Sequence, residues 1–581
     1  MSEKISGAEM FVKSLEKEGV EVIFGYPGGT VLPIYDKLYD ANFKHVLPHH
    51  EQGGIHAADG YARSTGRVGV TIATSGPGAT NLVTGLATAY MDSVPLVAFT
   101  GQVPSHMLGT DAFQEADITG ISMPITKHNY LVKDVKELPR IIKEAFHIAQ
   151  TGRPGPVLVD IPKDMMVLEA EFSYPEKVDL RGYKPNYEGH PLQIKTAAQK
   201  INQAEKPVFY AGGGVIISNA SQELRELAEK AKIPVTTTLT GLGSFDEHNE
   251  LSLGMLGMHG STEANMAISN ADLIIAVGCR FDDRVTGKLE EFAPEAEIIH
   301  IDIDPAEVGK RVSIDVPIVG DVKSILQDLE EKVNAKKNNG WGKKIKEWQE
   351  MDCRQCEDVG EQGRLSPRPI IEEIDRLTSG DAYIVTEVGQ HQMWAAQFFK
   401  YNRPRQFITS GGLGTMGYGF PASIGVQVGN EDEEVFLLAG EGSLQMNIQE
   451  LATVAKNDLP VKIIIFNNHY LGMVRQWQEM FMDKRYSSTC MSKTIDCPPH
   501  CSSPGEDCPE MVPDFVKLAA AYGIKAEIIT EPEEIKPALK RARAEEGPYL
   551  LDFQIEVEEN VFPMVPPGGS LYEMILEEES Q

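Results

Sequence analysis

At 581 residues, with 42% hydrophobic and 24% charged residues, the chain has a soluble globular composition and is too long for one core, so about three or four domains are expected. A formal net charge of −31 argues against nucleic-acid or anionic-membrane surfaces, which need clustered Lys and Arg, but it leaves an anionic substrate open, because local cations or a metal ion can reverse the potential inside a cleft. Met1 to Phe11 is polar and reads as no leader, no window approaches about eighteen apolar residues, and seven Cys in so large a chain do not resemble a secreted disulfide framework, so the cytoplasm is expected.

Short β-branched runs alternate with helical stretches along the chain, the pattern of parallel sheets crossed by helices. In the first third, strands are predicted over 20–24, 43–47, 68–73, 95–100 and 156–161, several running into Gly-rich turns at Gly25 to Gly29, Ser75 to Gly78 and Gly101. A Tyr-, Pro- and Gly-rich stretch over 174–191 reads as a linker. Strands over 207–211, 234–238, 273–277 and 298–303 follow, closed by Gly320-Asp321 and a charged helical region over 323–350. A second linker is predicted over 358–369, then strands over 383–387, 406–409, 435–438, 461–466 and 549–555. The expected fold is α/β, with three doubly wound parallel-sheet domains over 1–185, 190–345 and 366–556 and a tail over 557–581. In such sheets ligands gather at the carboxyl ends of strands.

The strongest chemical signal lies in the third unit. Gly440-Glu441-Gly442-Ser443 follows one predicted strand and Asn467-Asn468 ends the next. Two oxygen-bearing side chains at neighbouring strand ends, with a turn carbonyl, can share one hard cation such as Mg²⁺, and glycines let a diphosphate approach bare backbone. This resembles the thiamine-diphosphate motif, Gly-Asp-Gly-Ser followed by Asn-Asn, which implies Glu441, Asn468 and the Tyr470 carbonyl as metal ligands. The departure is Glu at 441 where the motif has Asp. One extra methylene moves the carboxylate outward, and weakened metal and cofactor affinity is the expected effect.

The first unit carries His50-Glu51-Gln52 at the start of a helical stretch through Asp59 and Arg63. It resembles the segment with the activating glutamate of thiamine-diphosphate enzymes, where the carboxyl favours the imino form of the aminopyrimidine and so promotes proton loss at thiazolium C2. The same resemblance assigns Gly76, Val388, Gly389, Gln390, His391, Gly442 and Ser443 to cofactor contacts, with Gly414, Met473 and, under the cofactor's bend, Met416. The Gly412-x-Gly-x-x-Gly417 spacing also fits a dinucleotide fingerprint and is read here as coincidence.

Nearly the whole chain is similar to the acetohydroxyacid synthase family, on segments around Tyr26 to Gly29, Gly109 to Glu115, Lys127 to Tyr130, Arg280 to Gly287, Leu471 to Trp477 and Met564 to Gly569. The likeness makes the three domains pyrimidine-binding, FAD-binding and diphosphate-binding. It implies Glu51, Gln114, Lys127 and Gly28 as catalytic residues, and Phe113, Arg284, Met473, Val474 and Trp477 around the substrate. Gly212, Gly213, Gly214, Met258, His259 and Arg280 would contact FAD, as would Asp283, Arg284, Asp302, Ile303 and Asp321. The implied reaction removes CO2 from pyruvate on thiamine diphosphate and joins the two-carbon unit to pyruvate or 2-oxobutyrate, in branched-chain amino-acid biosynthesis. A homodimer with the site across its interface, extendable to a tetramer, and a small regulatory subunit are also implied.

The alternatives are a low-affinity or non-catalytic homologue, raised by Glu441, another 2-oxo-acid enzyme on the same scaffold such as pyruvate oxidase, and an NAD-dependent dehydrogenase. Cys490, Cys497, His500, Cys501 and Cys508 cluster in a Ser- and Pro-rich loop. A solvated insertion, a metal or redox cluster and a disulfide all remain open there.

Overall fold

The computed structural model describes residues 4–336, 340–350, 364–494, 497 and 513–576. Its framework is three six-stranded sheets. The first runs Lys44–Val46, Val22–Gly25, Gly69–Ala73, Leu96–Gln102, Pro156–Pro162, His128–Leu131 in spatial order, all parallel. The second runs Ser252–Met255, Val235–Thr237, Pro207–Ala211, Leu273–Val277, Glu297–Asp302, Val316–Val319. The third runs Phe407–Ile408, Tyr383–Thr386, Val435–Gly440, Lys462–Asn467, Tyr549–Gln554, Lys525–Ile529. These too are parallel throughout.

Successive residues of each central strand point into opposite cores. Phe24, Leu96, Ala98 and Leu158 enter one apolar cluster, while Ile23, Val97, Phe99, Val157 and Val159 enter another across the sheet. Strands covered on both faces read as unbroken apolar runs, which is why they were predictable. The short strands His128–Leu131, Ser252–Met255, Val316–Val319 and Lys525–Ile529, like the antiparallel pair Lys4–Ser6 and Glu169–Glu171, have no such run; all four parallel ones lie at or beside sheet edges.

The charged region after Asp321 is two helices, Val322–Glu330 and Gly340–Glu350. The second predicted linker is shorter than expected: residues 358–363 lie outside the described residues, and Pro367 already opens the helix Pro367–Thr378. Proline suits a first helical turn because its missing N–H has no intrahelical partner there.

The first and third sheets share one core, in which Ile55, Leu86 and Leu96 meet Phe420, Leu437 and Ile463. The helices Glu51–Thr65 and Gly419–Gly429 cross there at close range. A Cβ at Gly425 would lie 1.8 Å from the Ala57 carbonyl oxygen, and one at Gly60 would lie 2.2 Å from that of Ala422. Glycine is required at both positions, and the crossing fixes the Glu51 helix against the third unit. No helix among the described residues is long and apolar enough to cross a membrane.

Candidate active site

Glu51 is the first residue of its helix, capped by His50, whose Nδ1 accepts from the Gln52 N–H at 3.1 Å. The helix N-terminus favours a carboxylate. Asn81 Nδ2 donates to Glu51 Oε2 at 2.9 Å. Gly78 faces the other oxygen, and a Cβ there would stand 3.2 Å from Oε1. The neighbouring Tyr35 phenol is pushed up, first by burial and then by the Glu51 charge. Gly28 lies against Thr74, and Gly76 lies against the backbone of Gln114, so these predicted residues gather at the ends of the strands Val22–Gly25 and Gly69–Ala73. Phe113 beside them is 88% exposed.

Lys127 stands apart from this group. Its ammonium donates to the Ile148 and Thr151 carbonyls and to the Tyr183 hydroxyl, closing the carboxyl end of the helix Leu138–Gln150. Burial lowers its pKa to about 8.

In the third unit, the strands Tyr383–Thr386, Val435–Gly440 and Lys462–Asn467 are parallel neighbours. Their carboxyl ends therefore bring Val388 to His391, Glu441 to Ser443, and Asn468 to Tyr470 to one edge. Glu441 is buried, its Oε1 has no hydrogen-bond partner, and burial pushes its pKa up to about 8. The ring of His391 lies against Gly440, where a Cβ would be 3.1 Å from Nδ1, and its Nε2 is buried without a partner. Burial lowers that imidazole to about 3. Asn468 Oδ1 accepts from the Tyr470 N–H at 3.1 Å, and its Nδ2 donates to Gln390 Oε1 at 3.3 Å. The Ser443 hydroxyl donates to the Gly440 carbonyl at 3.1 Å. Buried polar atoms are nearly always partnered, so the orphan oxygen of Glu441 and nitrogen of His391 fit a bound ligand. A carboxylate, an amide oxygen and a turn carbonyl suit Mg²⁺.

The helix Gly472–Phe481 starts directly after this turn and carries Met473, Val474 and Trp477 to a cavity of about 1180 Å³. The middle unit lines the same cavity with Gly213, Gly214, Met258, His259, Arg280 and Asp283, together with Arg284, Asp302, Ile303 and Asp321; Val388 and Gly414 join from the third unit. Gly212 lies behind this wall, packed on Gly278 and Cys279. The Arg284 guanidinium sits 5.7 Å from the centre of the Trp477 ring. Burial raises Asp302 to about 6. The volume suits a large organic ligand; the residues predicted for the flavin, other than Gly212, and those predicted for the substrate, other than Phe113, line this one space.

Sequence reasoning missed the groups that hold the Met416 loop. Asp92 accepts the Gly411 and Gly412 N–H groups at 3.0 and 2.7 Å and pairs with Arg63 at 2.9 Å. Buried Glu387 accepts the Gly417 and Phe420 N–H groups at 2.7 and 2.9 Å. The glycine fingerprint at Gly412 to Gly417 is thus a loop gripped at both ends. Arg63 also pairs with Asp59, which accepts from the Tyr418 hydroxyl at 2.6 Å. Asp59 and Arg63 were visible as an i,i+4 pair, but nothing in sequence tied them to this loop.

Cys279 and Cys490 carry free thiols. Cys353, Cys356, His500, Cys501 and Cys508 lie outside the described residues, and no metal-binding group of three or more His, Cys, Asp or Glu occurs among the described ones.

Three family descriptions match the chain in succession: "Thiamine pyrophosphate enzyme, N-terminal TPP binding domain" over 5–121, the central domain over 194–329, and the C-terminal TPP binding domain over 387–553. A probable acetolactate synthase large subunit of Methanocaldococcus jannaschii is 51% identical, covering 98% of this chain and 95% of its own. An acetolactate synthase of Mycobacterium bovis is 50% identical, covering 98% and 91%. The acetolactate synthase large subunit of Haemophilus influenzae is 45% identical, covering 99% and 98%.

Proposed function

We propose, from the premise that this chain belongs to the thiamine pyrophosphate enzymes and among them to the acetolactate synthase large subunits, a residue-level reading of how it works. The enzyme is a transferase. It decarboxylates pyruvate and condenses the two-carbon unit with a second pyruvate or with 2-oxobutyrate, giving 2-acetolactate or 2-aceto-2-hydroxybutyrate, the first common step towards the branched-chain amino acids. Bound thiamine diphosphate supplies the electron sink for loss of CO2.

The residues divide this work. Glu51 would hold and return a proton at the cofactor's aminopyrimidine, a role suited to a half-buried carboxyl at a helix start. Glu441, Asn468 and the Tyr470 carbonyl would hold Mg²⁺, with Gly389 to His391 and Ser443 facing the diphosphate. Met416 would press on the cofactor from its gripped loop. Gly28, Gly76 and Gln114 would line the pyrimidine side. Trp477 and Arg284, stacked together, would bound the acceptor pocket, with Met473 and Val474 on the same helix and Phe113 exposed to reach it from a second subunit. The large cavity would hold FAD. Lys127 we assign to closing the carboxyl end of the helix Leu138–Gln150. A regulatory small subunit and a homodimer are part of this reading. We retain the division 1–185, 190–345 and 366–556 with a tail over 557–581, of which residues 564–574 lie against the middle unit, where the Val565 N–H donates to the Met258 carbonyl.

The observation that carries the reading is the pair of partnerless buried atoms, Glu441 Oε1 and His391 Nε2, at adjacent strand ends. Purified protein with pyruvate, Mg²⁺, thiamine diphosphate and FAD is expected to form acetolactate. Glu441→Ala should raise the Mg²⁺ concentration for half-activation by about tenfold or more. Acetaldehyde or acetyl phosphate as the main product, or an unchanged Mg²⁺ requirement, would count against it.

A further inference from the structure

We infer that Glu450 is a positioning residue for Glu51, holding the turn before it through the backbone of His49. This rests on the reading of Glu51 given above. Glu450 is fully buried and ends the 3-10 segment Gln445–Glu450, which follows the turn Glu441–Leu444 directly. It belongs to the third unit, yet both its oxygens face the first. The His49 N–H donates to Oε1 at 3.0 Å and to Oε2 at 3.1 Å. The Thr453 hydroxyl donates to Oε2 at 2.6 Å and lies 2.9 Å from His49 Nδ1, closing a three-membered network. Gly53 leaves the space for it, since a Cβ there would stand 2.4 Å from Glu450 Oε1.

The consequence is geometric. A helix start is free to rotate and fray unless its approach is fixed, and a catalytic carboxyl needs supporting groups that lock its backbone. Glu51 is two residues beyond the gripped N–H. Its own side chain meets Asn81 from the first unit, so the only carboxylate tying this turn to the third unit among the described residues is that of Glu450. One short segment thus carries Glu441 at its start and the support of Glu51 at its end. A shift of about 1 Å in a catalytic group can cost ~10²-fold in rate, so a modest displacement would be visible.

The test reads Glu51 directly, through hydrogen–deuterium exchange at C2 of thiamine diphosphate bound to the Mg²⁺-loaded enzyme, quenched in acid and followed by NMR. Glu450→Gln, which loses one acceptor, is expected to slow exchange by about tenfold or more while thiamine diphosphate affinity and the melting temperature change little. Thr453→Val should slow it in the same direction. Parental exchange in a folded Glu450→Gln, or in Thr453→Val if the first variant does not fold, overturns the inference. Glu51→Gln is the control. If it too exchanges at the parental rate, the reading of Glu51 fails and the inference with it; if only Glu51→Gln is slow, Glu450 alone loses its role.

Discussion

At the scale of single residues, the site is defined by polar atoms whose surroundings conflict with their chemistry. Asp160 is a case outside the catalytic set. It is buried, accepts from Thr100 Oγ1 at 2.7 Å and Gln102 Nε2 at 3.0 Å, and burial raises its pKa to about 7. Gln102 in turn donates to the Ala116 carbonyl at 2.8 Å and so steadies the segment that carries Phe113 and Gln114. The folded-state pKa lies above the unfolded value, so the native chain keeps a proton that the unfolded chain gives up. Stability from this group falls as pH rises from about 4 to about 7 and is level beyond. Asp160→Asn lacks that term, and its amide can donate to the Thr100 hydroxyl. Its melting temperature relative to the parent should therefore climb between those pH values, by an amount worth roughly a few kcal/mol at most. A pH-independent difference in calorimetry would refute this.

At the scale of elements, the Met416 loop shows how a flexible Gly-rich segment is given one shape. Its N–H groups go to two buried carboxylates, Asp92 from the first unit and Glu387 from the third. Asp92→Ala would leave two N–H groups without acceptors and take one anion from Arg63. Breaking a buried pair in this way costs about 3–5 kcal/mol. We expect a lower melting temperature together with weaker thiamine diphosphate binding, measured by calorimetry and by cofactor titration. A stability loss with unchanged affinity would show that the clamp serves only the fold. Little of this element was legible beforehand, because Asp92 and Gly412 are 320 residues apart in sequence. The strand ends at Glu441 and Asn468 were legible, since each follows an apolar run that can only be a covered strand.

At the scale of the whole molecule, the first unit leaves an apolar surface in water. Phe113 is 88% exposed and Met123 69%, with Ile121 and Met107 nearby in sequence and also exposed. Large apolar side chains left exposed along one segment, 107–123, suit an interaction surface, and that segment includes Gln114, whose backbone packs on Gly76. We expect sedimentation to give about twice the chain mass, as suits a symmetric pair. Phe113→Asp combined with Met123→Asp should shift the protein towards monomer and remove acetolactate formation. A monomeric parent, or a fully active monomeric variant, would refute the shared site.

What the amino-acid sequence determined by itself was local, and it held for the central strands rather than for short ones at the sheet edges such as His128–Leu131 and Lys525–Ile529. Apolar runs bounded by Gly gave the central strands, and with them the strand ends where Val388 to His391, Glu441 and Asn468 come to one edge. The departure at Glu441 was equally plain. Only the tertiary structure decided which distant groups support these. Lys127 went to a helix end, Asp92 to the Met416 loop, and Glu450 to the turn before Glu51, 401 residues away. A backbone N–H leaves no mark in sequence of the carboxylate that will accept from it; that partner is chosen when the first and third sheets close on a common core.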